Sequence, residues 1–232
     1  MEQNKIWDHF QNDEDAARMV FPEVRQRFMI KRLKLGMAVL NIGVGGGALE
    51  RLAIKKGVDI YSLDPSEQTI VRLRDELNLG VKAQAGYAQS IPFEDGRFDA
   101  IVMSEVLEHL DDKALQESLR EILRALKPNG FLLASTPYDE NLKASETVCP
   151  DCGKVFHKVG HVQSFDKSRI RQIVTEQGLS IENLYITTFV DWQRKGLKNF
   201  LKSLLRFSLA RLGEKIADPH LIVIARKAAS DG

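Results

Sequence analysis

Short apolar runs alternate with helical patterns along the first half of this chain, and that rhythm narrows the fold more than any other feature. Ala38–Ile42, Val58–Leu63, Val81–Ala85, Phe98–Met103 and Phe131–Ser135 read as strands, with helix-patterned stretches at 48–56, 66–77 and 113–127 between them. Strands separated by helices pair in parallel through crossovers, so the pattern predicts a doubly wound α/β sheet covered on both sides. Asp64-Pro65-Ser66 reads as a strand-to-helix junction, and Lys127-Pro128-Asn129-Gly130 carries the breakers that end a helix.

The rest of the chain departs from that rhythm. A leader, residues 1–36, has a helical pattern at 13–34. The regular unit covers 37–136, and a loop-rich insertion at 137–165 holds both cysteines and two of the five histidines. Residues 166–232 then read as a helix at 167–178, a strand at 180–190, a basic helix within 194–216 and a last strand, His220–Ala225. With 44% hydrophobic and 28% charged residues the chain has a soluble, globular composition. Two cysteines exclude a disulfide framework, and neither a spanning apolar run nor a signal-peptide core is present, so a cytoplasmic setting is expected. The segment 194–216 carries +6 and the remainder −5, which makes nucleic acid an unfavoured partner of the acidic body.

Val39-Leu40-Asn41-Ile42-Gly43-Val44-Gly45-Gly46-Gly47 follows a strand and opens a helix. Glycines there let the backbone turn tightly and approach a ligand, and free N–H groups at the helix start favour polar or anionic groups. Asp64 ends the next strand, where a carboxylate can accept hydrogen bonds from two ribose hydroxyls. Gly43-x-Gly45-x-x-Ala48 also satisfies the nicotinamide-enzyme pattern. Three downstream runs decide between them. Gly86-Tyr87-Ala88-Gln89-Ser90-Ile91-Pro92-Phe93, then Gly96-Arg97-Phe98-Asp99-Ala100-Ile101-Val102, then Leu126-Lys127-Pro128-Asn129-Gly130 resembles the class I S-adenosylmethionine-dependent methyltransferases in order and spacing.

That resemblance implies a Rossmann-like, seven-stranded, mostly parallel sheet closed by a C-terminal antiparallel hairpin, which the late strands would supply. It implies S-adenosyl-L-methionine as cofactor. Gly43, Gly45 and Gly47 would line its methionine and ribose side, Asp64 would hold the ribose, and Tyr87, Ala88 and Gln89 would approach the adenine. Ser104 and Glu105 would lead into the active site. The family usually has an acid at Asn41 and commonly an Asp at Tyr87; Asn41 would still hydrogen-bond the cofactor, and Gln89 becomes the candidate for the adenine amine.

In Ser104-Glu105-Val106-Leu107-Glu108-His109-Leu110, a helix would place Glu105, Glu108 and His109 at i, i+3 and i+4 on one face. Such a face could bind a divalent cation, with magnesium as one choice, or His109 could act as general base toward the acceptor. The Glu-x-x-Glu-His pattern resembles ubiquinone-pathway O-methyltransferases and small-RNA 3′-end 2′-O-methyltransferases. The resemblance implies a metal held by this motif with a downstream histidine, here His161.

Cys149-Pro150-Asp151-Cys152-Gly153 followed by His157 and His161 offers a competing use of His161, a structural Cys2His2 zinc set. A metal-free loop with two inert thiols is the alternative. In the basic helix, Leu197, Phe200, Leu201, Leu204, Leu205, Leu209, Leu212 and Ile216 recur at helical spacing beside Lys198, Lys202 and Arg206. The pattern is read as an apolar face packed on the sheet or on a second subunit, with peripheral contact to an anionic membrane as the alternative. Trp7, His9 and Phe10 in the leader are candidates to cap the pocket.

Taken together, these features predict a methyltransferase acting on a hydroxyl of a small-molecule acceptor, with His109 as base or metal ligand and Glu105 beside it. RNA ribose 2′-O-methylation and a catalytically silent methyltransferase-like subunit are the alternatives.

Overall fold

The computed structural model describes residues 5–7, 23–191 and 196–229. Helix α1 (Glu23–Met29) leads into β1 (Ala38–Ile42), α2 (Ala48–Lys56), β2 (Asp59–Asp64), α3 (Glu67–Leu77) and β3 (Ala83–Ala85). Then come β4 (Phe98–Ser104), α4 (Asp112–Ala125) and β5 (Leu126–Pro137). A small hairpin, β6 (Glu146–Val148) and β7 (Val155–His157), precedes α5 (Lys167–Glu176), β8 (Leu179–Thr187), α6 (Leu197–Arg211) and β9 (His220–Lys227).

Seven strands form one sheet in the order β3-β2-β1-β4-β5-β9-β8. The first five run parallel, and β9 is antiparallel to both β5 and β8. The predicted Rossmann-like sheet with its closing antiparallel pair is therefore present. Side chains alternate between the two faces of each strand, so each face needs its own cover. Leu40, Ile42, Ile101 and Met103 pack with Leu115, Leu119 and Ile122 of α4 and with Ile170 and Val174 of α5. Val39, Ile60, Ala100 and Val102 pack with Leu49 and Ala53 of α2 and with Ile70 and Leu73 of α3 on the other face.

Local chemistry sets the helix starts. Ser66, Asp111 and Asp166 accept hydrogen bonds from the backbone of Thr69, Ala114 and Arg169, capping α3, α4 and α5. The breakers Lys127–Gly130 do not make a loop. Strand β5 begins directly after α4, and the break appears as a register shift against β4 with Asn129 at φ 63°.

The turn after β4 differs from the predicted helix. Glu105 sits at φ 58°, and only Leu107–His109 forms a helical turn, a 3-10 one. Glu105 is thus turned away from the Glu108–His109 pair. Its carboxylate accepts from Ser135 Oγ of β5 at 2.6 Å and lies 3.3 Å from Arg25 Nη1 of α1 and 3.2 Å from His220 Nε2 of β9. Burial by itself would raise the Glu105 pKa, but the charges of His220 and Arg25 prevail and bring it to about 2. Burial pulls His220 down, and the Glu105 charge more than reverses this, leaving His220 above its ordinary value.

Segment 137–165 is anchored at its base by a bridge between Tyr138 and the fully buried Phe165. In the basic segment, α6 fully buries only Ala210; Leu209 is partly buried, and Leu197, Leu201, Leu204 and Leu205 are exposed rather than packed. The helix lies at the rim, reached from the end of β8, where the sheet's own apolar face is already covered. The first part of the predicted leader helix, and His9, Phe10, Arg194 and Lys195, lie outside the described residues. Among the described residues no helix is long and apolar enough to cross a membrane.

The buried Glu105 pair has a defined pH signature. The His220 contribution is present below its ordinary pKa of 6.5 and is lost as pH rises through the raised folded value. The Glu105 contribution is present above 4.5 and is lost as pH falls toward about 2. His220→Gln is expected to cost about 2–3 kcal/mol between those limits and less at alkaline pH, because removing one partner strands the other charge. Urea unfolding of both proteins across pH measures this; a deficit that does not shrink at high pH contradicts it.

Candidate active site

The C-terminal ends of β1, β2 and β4 open into one cavity of about 1820 Å³. Its floor is the glycine loop. Gly43 has φ 83°, and a Cβ there would meet Val106 Cγ2 at 2.5 Å, so only glycine fits without moving a stiff β-branched neighbour. Asp64, at the end of β2, braces this loop. Its Oδ2 accepts from Val44 N at 2.8 Å and its Oδ1 from Ser66 N at 2.9 Å. A carboxylate oxygen offers more than one lone pair, and a carboxylate at a strand end can accept from the two hydroxyls of a diol.

Gly43, Gly45, Asp64, Tyr87, Ala88 and Gln89 all line the cavity. Gln89 Oε1 is buried with no hydrogen-bond partner, which suits an amine donor at that end. An adenosine-bearing donor fits these groups: glycine floor, carboxylate at the diol, unpaired acceptor beyond it. Ser104 also lines the wall. Asn41 does not. It points to the α2 side of the sheet, where its Nδ2 donates to the buried Glu50 at 2.7 Å, and Ser62 donates to the same oxygen. Strand alternation explains this, since Asn41 shares its face with Val39 while Leu40 and Ile42 take the other. Gly47 is likewise off the cavity wall; it caps α2 in a left-handed conformation.

Elsewhere on the cavity wall His109 and His161 meet, with His157 stacked behind His161. His109, His161 and Glu108 each bring a ligand atom within 4.8 Å of the others. Glu108 is fully buried; the Thr136 hydroxyl approaches its carboxylate without closing a well-formed hydrogen bond, and His161 Nε2 lies 3.8 Å from Oε1. Burial, with the Glu105 charge added, raises the Glu108 pKa well above the ordinary carboxylate value. An unsatisfied buried carboxylate is expensive unless a cation or proton meets it.

The neighbours set which nitrogen each ring leaves open. His109 Nδ1 faces Gly160 O at 3.2 Å, and His161 Nδ1 faces Glu140 at 2.5 Å. Both Nδ1 atoms therefore donate and both Nε2 atoms face the other way, that of His109 with its lone pair free. Metal-bound histidines show this arrangement, with the outer nitrogen held by a carbonyl or carboxylate. His157 accepts from His161 N through Nδ1 and directs Nε2 toward Glu140 at 3.3 Å. Burial, then the neighbouring His161, lowers the His109 pKa to about 3, so its ring is neutral at physiological pH. Trp7 meets the His109 ring edge-on at 5.0 Å and covers it.

The Cys149–Cys152–His157–His161 set is not assembled. Cys149 and Cys152 sit at the tip of the β6–β7 hairpin, whereas His157 pairs with Glu146 at its base. At ~3.4 Å per residue, tip and base are about 10 Å apart. His157 and His161 instead share Glu140, a residue no motif announced. Backbone N–H groups of Cys152 and Asp151 face the Cys149 sulfur and lower its pKa. Nor does Glu105 join the metal-type group, because Arg25, Ser135 and His220 already engage it. Arg25 and His220 also escaped the sequence reading; lone polar residues on a helix and a terminal strand carry no pattern.

A family profile described as a methyltransferase domain matches residues 13–184. The chain is 34% identical over 104 residues to a ubiquinone biosynthesis O-methyltransferase of Azorhizobium caulinodans, covering 44% of this chain and 40% of that one. It is 33% identical over 113 residues to phosphoethanolamine N-methyltransferase 2 of Caenorhabditis elegans, covering 45% and 25%. The matched segments thus span about half or less of these curated relatives. The solved 1,6-didemethyltoxoflavin-N1-methyltransferase of Burkholderia thailandensis, bound to S-adenosylhomocysteine, shares the fold with a TM-score of 0.66 at 13% identity over 97% of this chain and 87% of that one. With its sheet order, glycine loop and Asp64 in place, the chain belongs to the class I S-adenosylmethionine-dependent methyltransferase family.

Proposed function

We propose that the protein transfers a methyl group from S-adenosylmethionine to a hydroxyl of a small molecule, aided by a divalent cation held by Glu108, His109 and His161. The observation that carries the reading is Glu108, a fully buried carboxylate met only by the Thr136 hydroxyl and without a well-formed hydrogen bond, facing His161 Nε2. Two imidazoles and one carboxylate are a donor set that suits a divalent transition metal or zinc. When bound, the donor supplies an electrophilic methyl group, and the cation supplies a Lewis acid that lowers the pKa of the acceptor oxygen.

The chain's own part is alignment. The glycine loop and Asp64 would hold the donor's nucleoside end, and the unpartnered Gln89 Oε1 would accept a hydrogen bond at the far side. His109 and Glu108 line the same cavity from the 3-10 turn, so these residues would align a donor on the glycine loop with an acceptor at the imidazoles. A ring held near pKa 3 is a feeble base for a hydroxyl proton, which favours the ligand role of His109 over the general-base role. Trp7 restricts water at this end.

Asp64→Ala is expected to weaken S-adenosylhomocysteine binding about tenfold to a hundredfold in calorimetry, the worth of a charged hydrogen bond. Glu108→Gln and His161→Ala should keep that affinity yet lose bound metal by mass spectrometry. Turnover of a catechol-type acceptor should stop in chelator and return with zinc, manganese or magnesium. Full turnover of His109→Ala, or of metal-free enzyme, would sink the metal-assisted reading and leave the donor site standing.

A further inference from the structure

We infer that α6 is a docking helix for an anionic bilayer surface. Among the described residues, fifteen large hydrophobic side chains are exposed, and seven of them fall between Leu197 and Ile216. Leu197 is 74% exposed, Phe200 50%, Leu201 53%, Leu204 44% and Leu205 61%, with Leu212 and Ile216 continuing beyond the helix at 78% and 88%. At 100° per residue, Leu197, Phe200, Leu201, Leu204, Leu205 and Leu212 fall on one stripe of the helix surface. The opposite side, at Ala210, is the buried one. A concentrated apolar face of this kind on an otherwise polar protein marks a surface that something covers.

Charge selects the occupant. Lys198 and Lys202 border the apolar stripe and are exposed, and Arg211 stacks on Phe207 beneath its other edge. Arg206 and Lys215 are partly engaged, by Asp218 at 3.3 Å and Asp139 at 3.2 Å. The segment 194–216 as a whole holds seven basic residues against Glu214, while the remainder of the chain is net acidic. An anionic surface would therefore attract this face and repel the rest, orienting the molecule as well as binding it. Leucines and phenylalanine beside lysines are the composition that seats a helix in the headgroup region.

The same helix is part of the cavity wall, through Asn199, Lys202, Ser203 and Arg206. A docked helix would thus bring an amphiphilic acceptor, dissolved in the bilayer, to the chamber that holds Asp64 and His109. That consequence rests on the methyl-transfer reading; the docking itself does not.

The test is co-sedimentation of the full chain with vesicles of phosphatidylcholine alone and with about one third phosphatidylglycerol. The expected result is retention on the anionic vesicles only, weakened by salt. Retention should fall by about tenfold or more in Leu201→Gln/Leu205→Gln and about fivefold in Lys198→Glu. These three positions are outside the cavity wall, so calorimetric S-adenosylhomocysteine binding should not change and reports separately on the donor site. No retention on anionic vesicles, or equal retention of the double leucine variant, overturns the proposal. A dimer seen by light scattering that the leucine variant dissolves, with no vesicle binding, also overturns it and assigns the face to a second copy.

Discussion

The buried carboxylate of Glu105 ties together parts of the chain that are far apart in sequence. Arg25 comes from the leader, Ser135 from β5 and His220 from the last strand, and all three meet Glu105 just past the end of β4. A charged group in this position is costly unless every partner is present, so its neutralisation demands that leader, sheet centre and closing hairpin be assembled together. The left-handed backbone at Glu105 goes with that pairing. It ends β4 sharply and starts the short turn that aims Glu108 and His109 into the cavity. The structural anchor and the candidate chemistry are thus neighbours in the chain but distinct in role.

Around this anchor the protein divides its cavity by chemistry. The glycine-loop end offers backbone and a solvent-shielded carboxylate, a setting for a polar nucleoside. The opposite end offers the neutral ring of His109, the His161 imidazole and a buried Glu108 without a well-formed hydrogen bond. Segment 137–165 completes that second end, because His161 and Glu140 arrive from it, and the N–H groups of Val162 and Gln163 donate to Glu108 O. Without those contacts the Glu-x-x-Glu-His stretch would present one histidine and one buried acid. Glu140, braced by His157 as well as His161, is what holds the His161 ring in its orientation.

Helix α6 obeys a different constraint. The sheet's two faces are already covered by α1–α3 and by α4–α5, so a further amphipathic helix on the β8–β9 connection has no apolar surface left to occupy. Its leucines therefore face outward. Helical spacing states that a face is apolar but not what meets it: of the two packings expected, on the sheet or on a second subunit, the exposed leucines count against the first and leave the second untouched.

Much of this protein was legible from residues alone, for physical reasons. Strand and helix periodicity determined the doubly wound sheet, and turn chemistry placed the Asp64-Pro65-Ser66 junction and the glycine loop. Gly43 and Asp64 stood out by turn chemistry and strand-end position, the family resemblance added residues 87–89, and the structure brings all of these to one cavity. What depended on long-range contact was not legible. Only the folded chain could bring Glu140 to His161, pair Glu105 with Arg25 and His220, send Asn41 to Glu50, and keep the cysteines at a hairpin tip away from the histidines. Motif spacing reports which residues can share a turn, whereas partners separated by tens of residues are chosen by how the layers pack.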